Sequence, residues 1–294
     1  MQLLNSTAWL YWDPPREAFI IPFLNLPVMW YGLCFVTGFV LGYLLVVPLL
    51  ASFLKTHPYN LYKNLSLKGM SYFLTDRLCW FVILGTLLGA RLGAVFFYDW
   101  AYFKEHPVEI FQVWKGGLAS HGGVLGIFLA LFFYLRYVKR WVPDLTYLRL
   151  LDCLAIPAGL AACFIRLGNF MNQEIIGSPS TLPWAIVFGN PIDGSSPIAR
   201  HPVQLYEALA YLATFIFLYV LWKRKGFTLA PGIYAGYLFI FVFLSRFFLE
   251  FWKEELEAVV DQSTLQMGQI LSVPFILLGI FLVLRKKCLC LKKI

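Results

Sequence analysis

The sequence predicts an all-α polytopic membrane protein with about seven transmembrane helices and a small outer-face head inserted between helices four and five. Three observations predict it. Hydrophobic residues make up 60% of the chain and charged residues only 14%, whereas an ordinary soluble domain carries about 25% charged residues. Too little polar surface is left to clothe a soluble globule. Secondly, apolar runs of the length that about 30 Å of hydrocarbon demands fall near residues 28–50, 78–98, 121–138, 151–170, 204–222, 230–251 and 268–284. The third and fourth are the weakest, being short or broken by Pro157 and by glycines. Thirdly, the cations alternate along the chain in step with those runs.

If the N-terminus lies outside, the inner segments hold sixteen of the 24 Lys and Arg residues. These are Lys55, Lys63, Lys68 and Arg77, then Arg136, Lys139, Arg140 and Arg149, then Lys223, Arg224 and Lys225, and finally Arg285, Lys286, Lys287, Lys292 and Lys293. The outer segments hold five, Arg16, Lys104, Lys115, Arg200 and Lys253. Cationic loops are retained on the cytoplasmic side, so the expected topology is N-terminus out, C-terminus in, with an odd number of spans. The formal net charge of +8 is thereby placed on membrane-flanking loops, and no nucleic-acid partner is expected. The first apolar run, near Trp30–Leu54, is expected to be an uncleaved anchor.

Residues 99–120 and 171–203 are too polar to span. The second is rich in turn residues, as in Gly189-Asn190-Pro191 and Asp193-Gly194-Ser195-Ser196-Pro197. It reads as an ordered head, 171–203, inside a single membrane-embedded domain covering 1–294, with Trp184–Phe188 as a short strand. The acidic stretch Glu254-Glu255-Leu256-Glu257 reads as a solvated loop on the same face. The six cysteines form no disulfide framework by their placement. Cys288-Leu289-Cys290 reads as a plain tail, and no HExxH motif, CxxC pair or acidic cluster suggests a metal. No cofactor is expected.

Three arginines, Arg91, Arg166 and Arg246, sit in or beside the spans. Each costs about 2.5–3.5 kcal/mol at a helix centre on insertion scales, and arginine cannot escape by losing its proton. Each must find an anion, snorkel or line water. Arg246 precedes Glu250 by four residues, a spacing that places both on one helix face. Either the two form a static ion pair or Arg246 serves a ligand. Arg166 shares a face with Asn169, and Glu174 follows where the helix meets the head. Arg91 lies in Gly89-Ala90-Arg91-Leu92-Gly93, whose small residues admit a neighbouring helix. His121 opens a span between glycines that leave the backbone open to a ligand. It serves as a base, as a hydrogen-bond donor to phosphate, or merely as an interfacial residue. Glu207 falls in the first turn of the fifth span, where it either caps the helix or balances an arginine. Paired guanidiniums suit a phosphodiester, so these residues point to a phosphorylated lipid. A lipid or anion transporter and a structural scaffold remain alternatives to an enzyme.

These motifs resemble, in order and along nearly the whole chain, the phosphatidylglycerol–prolipoprotein diacylglyceryl transferase family of bacterial inner membranes. The resemblance rests on Trp30-Tyr31-Gly32, Gly89-Ala90-Arg91-Leu92-Gly93, the glycines around His121, and Arg166-Leu167-Gly168-Asn169-Phe170 with Glu174 and Gly177. It extends to His201-Pro202 with Gln204-Leu205-Tyr206-Glu207, and to Met267-Gly268-Gln269-Ile270-Leu271-Ser272. It implies transfer of a diacylglyceryl group from phosphatidylglycerol to the lipobox cysteine of a prolipoprotein signal peptide. His121, Arg166 and Arg246 are then the central residues. Tyr31, Arg91, Asn169, Glu174, Gly177, Glu207 and Glu250 are expected to line the substrate. The chain departs from the family pattern at Gln173, Ser178, Val242 and Trp252-Lys253.

Overall fold

The computed structural model describes residues 9–23, 25–57, 59–60, 65–112, 116–117, 119–253 and 266–291. The acidic stretch Glu254–Glu257 lies outside the described residues, as do Lys63, Lys115, Lys292, Lys293 and the Cys288 and Cys290 side chains. Seven helices are long and apolar enough to cross a bilayer, and each overlaps one of the seven apolar runs. The second begins at Leu67, well before the run near 78–98, so that Lys68 and Arg77 lie in the helix and not in a loop. The described chain forms two compact units. One combines the residues up to Gly42 with those from Leu154 onward, and the other is Tyr43–Cys153.

The first unit opens with three strands: β1 (Leu10–Trp12), β2 (Glu17–Ile21) and β3 (Leu26–Met29). β2 and β3 pair as an antiparallel hairpin, whose turn holds Asn25 at φ 46°, a left-handed conformation that asparagine tolerates. β1 pairs in parallel with β4 (Ile186–Phe188), which pairs antiparallel with β5 (Ala199–Arg200). The 171–203 segment therefore contains the expected strand, but its sheet is completed by an N-terminal strand that the sequence pattern did not suggest. The Trp12 ring stacks on Phe170 at 4.6 Å, and its Nε1 donates to the Phe170 carbonyl at 3.3 Å.

Helix α1 (Trp30–Leu54) begins in this unit and runs on through Pro48. Its first half packs on the second half of α5 (Tyr147–Met171) where side chains are smallest. A Cβ added at Gly38 would lie 3.2 Å from Ala161, and one at Gly168 would lie 2.9 Å from the Tyr31 ring. α6 (Val203–Lys225), α7 (Ile233–Leu249) and α8 (Met267–Leu291) complete the unit. Gly236 and Gly279 bring α7 and α8 together, and Phe243 stacks on Phe275 at 4.3 Å. Pro157 and Pro274 stand inside α5 and α8, where neighbouring helices can re-satisfy the freed carbonyls.

The second unit contains the end of α1, the long α2 (Leu67–Phe97), the short α3 (Trp100–Glu105), a 3-10 turn at Pro107–Phe111, α4 (Ser120–Val138) and the start of α5. Ser66 caps α2 by accepting from the Gly69 N–H at 3.2 Å. Gly85, Gly89 and Gly93, one per turn on α2, meet Gly122, Gly126 and Ala130 on α4. The helices approach until backbone touches backbone, which is how membrane helices associate without a hydrophobic drive. The glycine after His121 is thus committed to α2 and is not open to a ligand, which corrects that part of the sequence reading.

A test follows at once. A Cβ at Gly126 would overlap the Gly85 carbonyl, whereas one at Gly32 meets nothing within 4 Å. Gly126→Leu is expected to exceed the about 1–3 kcal/mol that overpacking typically costs. Gly32→Leu should unfold in detergent at the wild-type temperature. Equal melting temperatures for the two variants would contradict the packing.

Candidate active site

In the first unit, α5 runs to Met171 and delivers Arg166 and Asn169 to the same face one turn before the head. The Arg166 Nη1 donates to Asn169 Oδ1 at 3.1 Å, and Asn169 Nδ2 donates to Glu174 Oε2 at 2.7 Å. The other Glu174 oxygen accepts from Asn172 Nδ2 at 2.9 Å, and Gln204 Nε2 grips the Glu174 carbonyl at 2.7 Å. Gln173 and Ile175 take positive φ of 55° and 54°, so the chain turns sharply enough for Glu174 to face back onto α5. Gln173 is occupied elsewhere: its Nε2 donates to Asp13 at 3.1 Å and its Oε1 accepts from the Asn190 N–H at 2.8 Å. At that position the side chain fastens the head to the N-terminal segment.

Glu207, wholly buried one turn into α6, is the hub of the charges. Its Oε2 lies 2.8 Å from Arg166 Nε, and its Oε1 lies 3.1 Å from Lys253 Nζ. Lys253 also reaches Glu250 Oε2 at 2.9 Å. Of the two readings for Glu207, the structure realises the balancing of a cation; the cap position of α6 is Pro202, with no side-chain cap bond. Gly268 lets the Glu250 carboxylate lie directly against α8, since any Cβ there would overlap it. Gln269 steadies the same junction by donating to the Phe247 carbonyl at 3.2 Å.

Arg246 differs from the others. The spacing-four pair with Glu250 is not formed. α7 ends at Leu249 and tightens into a 3-10 turn over Glu250–Trp252, and the Glu250 carboxylate goes to Lys253. The Arg246 Nε is buried, and no described residue offers it a hydrogen bond or an ion pair. Arg246 and Arg166 both act electrostatically on the buried Tyr211. A half-buried guanidinium whose Nε has no acceptor is costly, and here the protein leaves it so.

His201 precedes α6, and burial pushes its imidazole below the ordinary value. Its ring lies against Tyr206 and Trp252, and Tyr206 Oη accepts from Trp184 Nε1 at 2.8 Å. Gly177 bridges to Lys253 and donates its N–H to the His201 carbonyl at 3.2 Å. A side chain there would collide with His201 and Val203, so this glycine lets the strand carrying Lys253 close over the start of α6. Tyr31 is half-buried against Gly168.

Arg91 and His121 belong to the second unit. The Arg91 guanidinium is spent on backbone carbonyls: Ile110 at 2.8 Å, Gly116 at 2.7 Å, Gly117 at 3.2 Å, and Glu109. Phe103 lies under it at 4.9 Å. It ties down the loop between α2 and α4, with four of its five N–H groups engaged. His121 stands exposed in the first turn of α4. Among the described residues no group of three or more His, Cys, Asp or Glu is placed to hold a metal.

The model of the family described as prolipoprotein diacylglyceryl transferase matches residues 18–285. The chain belongs to that family. It is similar to the phosphatidylglycerol–prolipoprotein diacylglyceryl transferase of Protochlamydia amoebophila, with 52% identity over 95% of this chain and 96% of that one. It is also similar to the proteins of the same name in Chlamydia pneumoniae, 38% identical over 94% and 95%, and Porphyromonas gingivalis, 38% identical over 96% of each.

The family motifs thus fall into two kinds. Arg166, Asn169, Glu174, Glu207 and Glu250 form one linked set, joined through Lys253, within one unit. Gly89, Gly93, Gly122, Gly168, Gly177 and Gly268 are places where backbone, a carboxylate or, at Gly168, the Tyr31 ring approaches too closely for a side chain. Lys253 is the residue that the sequence reading left out of the site. Its signal was present, as a lone lysine three residues after Glu250, but nothing in the sequence ties it to Glu207.

Proposed function

We propose that this protein is an enzyme that transfers the diacylglyceryl group of phosphatidylglycerol to the cysteine thiol of a prolipoprotein lipobox, releasing glycerol phosphate. It works in a bacterial inner membrane, with the N-terminus and the head outside and the C-terminus in the cytoplasm, as the sixteen-to-five bias of cations suggests. The observation that carries the reading is Arg246, a half-buried cation whose buried Nε has no hydrogen-bond acceptor among the described residues and which has no carboxylate partner there. A lipid phosphate at Arg246, shared with the outer nitrogens of Arg166, supplies the missing anion.

The chemistry follows from charge. Sulfur attacks the glyceryl carbon, a C–S bond forms, the C–O bond to phosphorus breaks, and the electron pair leaves on the phosphate. A diester with one negative charge becomes a monoester that gathers a second. Fixed guanidiniums favour the second state over the first, and that difference lowers the barrier. Glu207 and Asn169 hold Arg166 in place, so these are positioning residues.

The thiol must lose its proton, and free cysteine, with a pKa near 8.5, is only a few per cent thiolate at neutral pH. His121 takes that proton in our reading. A base at this position predicts that His121→Gln lowers the rate and changes its pH profile, leaving only the rise that follows the thiol itself. An unchanged profile would make His121 a hydrogen-bond donor to lipid or peptide.

Purified protein incubated with phosphatidylglycerol labelled in its glycerol backbone and a lipobox peptide should place label on the peptide thiol. Label crossing between leaflets with none on the peptide would favour a transporter. Label neither on the peptide nor in the opposite leaflet would favour a scaffold.

A further inference from the structure

We infer that the protein carries a second lipid site, for a zwitterionic phospholipid with a primary ammonium headgroup, between the middle of α1 and the first half of α2. A cleft of about 310 Å³ lies there, lined by Tyr43, Phe73, Asp76, Arg77, Cys79 and Trp80. All six belong to the second unit, whereas Arg246, Arg166 and Glu207 belong to the first, so the inference stands whatever becomes of the transferase reading.

The location fits a headgroup. α2 has 31 residues, about 46 Å at 1.5 Å per residue, which exceeds the hydrocarbon thickness of about 30 Å. Asp76 and Arg77 stand ten and eleven residues into it, where the polar entry with Lys68 gives way to the uncharged run Leu78–Ala90. Both side chains are exposed. Further along α2, Trp80, Leu84 and Leu87 are exposed apolar groups at 60%, 52% and 43%, a surface for acyl chains below a headgroup.

The chemistry selects the headgroup. Adjacent residues on a helix do not face each other, so Asp76 and Arg77 do not neutralise one another. Among the described residues neither has an ion-pair partner. Asp76 Oδ1 accepts from the Tyr43 hydroxyl at 2.7 Å, which fixes the carboxylate and leaves a charge uncompensated. The Arg77 guanidinium lies over the Phe73 ring at 5.5 Å, with N–H edges free for a phosphate. A carboxylate beside a guanidinium repels a purely anionic lipid at one end and matches an ammonium linked to a phosphate at both. Asp76 requires a donor, which a primary ammonium has and a quaternary one lacks.

The test is native mass spectrometry of the full-length protein in detergent, with phosphatidylethanolamine, phosphatidylcholine or phosphatidylglycerol added separately at equal concentration. Phosphatidylethanolamine should remain bound at activation that strips phosphatidylcholine. Asp76→Asn and Arg77→Gln should each weaken its retention by about tenfold, or 1.4 kcal/mol. Arg246→Ala should leave it unchanged, and phosphatidylglycerol retention should be the same in wild type and both cleft variants. Retention of phosphatidylethanolamine unaffected by both cleft substitutions would overturn the site. Equal retention of phosphatidylcholine, or a matching loss of phosphatidylglycerol, would overturn its specificity.

Discussion

Arg246→Ala should lower diacylglyceryl transfer by about two to three orders of magnitude, the loss seen when a preorganised donor to developing charge is removed. The same substitution should leave the melting temperature in detergent unchanged or slightly raised. The reason is that Arg246 has no carboxylate partner to orphan among the described residues, and its buried Nε has no hydrogen-bond acceptor there. Arg246→Lys restores charge but not the planar fork that holds two phosphate oxygens, so it should recover less than about a tenth of the lost rate by the same argument. Transfer at wild-type rate by Arg246→Ala would remove this residue from the mechanism. A large fall in melting temperature would make it a structural residue instead.

Glu207→Ala should behave in the opposite way, with stability as its main casualty. The carboxylate is fully buried and stands between Arg166 at 2.8 Å and Lys253 at 3.1 Å. Its removal leaves Arg166 with no carboxylate and Lys253 with Glu250 alone, and breaking a buried pair on one side costs about 3–5 kcal/mol. Glu207→Gln keeps the shape and the acceptor oxygen but not the charge, so it should fall between alanine and wild type. If Glu207→Ala melted with the wild type, the hub described here would not hold the three elements together.

The two variants separate what a buried charge does for the fold from what it does for a ligand. Arg166 lies between them. It is held by Glu207 and Asn169, so Arg166→Ala should lose both activity and stability. Its effect alone cannot distinguish the two roles, which is why Arg246 is the more informative position.

The spans were legible in the sequence because hydrocarbon imposes a length and a composition that survive without any tertiary information. Even the runs broken by Pro157 and by the glycines at 122, 123 and 126 are helices. Proline tolerated inside a membrane helix and glycine used for close packing are both consequences of the solvent. The strand at Ile186–Phe188 was legible from its flanking turns. Its partner Leu10–Trp12 was not, since three residues 176 positions away carry no periodic signal.

At the site, the spacing of Arg166 and Asn169 foretold their hydrogen bond, because an α-helix fixes which residues share a face. The same rule failed four residues before Glu250, where the helix gives way to a 3-10 turn and the carboxylate finds Lys253. Arg91 read as a candidate for lipid because it is a cation beside a span. Its guanidinium instead holds four carbonyls of the loop that follows, an arrangement that depends on where that loop returns and is invisible to local pattern. Glycines were the least legible. The same residue type that suggested an open path to His121 turned out to bring two helices into backbone contact.

A structure of the protein bound to phosphatidylglycerol, in lipid nanodiscs without peptide, tests the central claim most directly. The account places the lipid phosphate within hydrogen-bonding distance of the Arg246 guanidinium, with Arg166 still paired to Glu207. A headgroup bound elsewhere, with Arg246 turned onto Glu250 or another carboxylate of the chain, would contradict it.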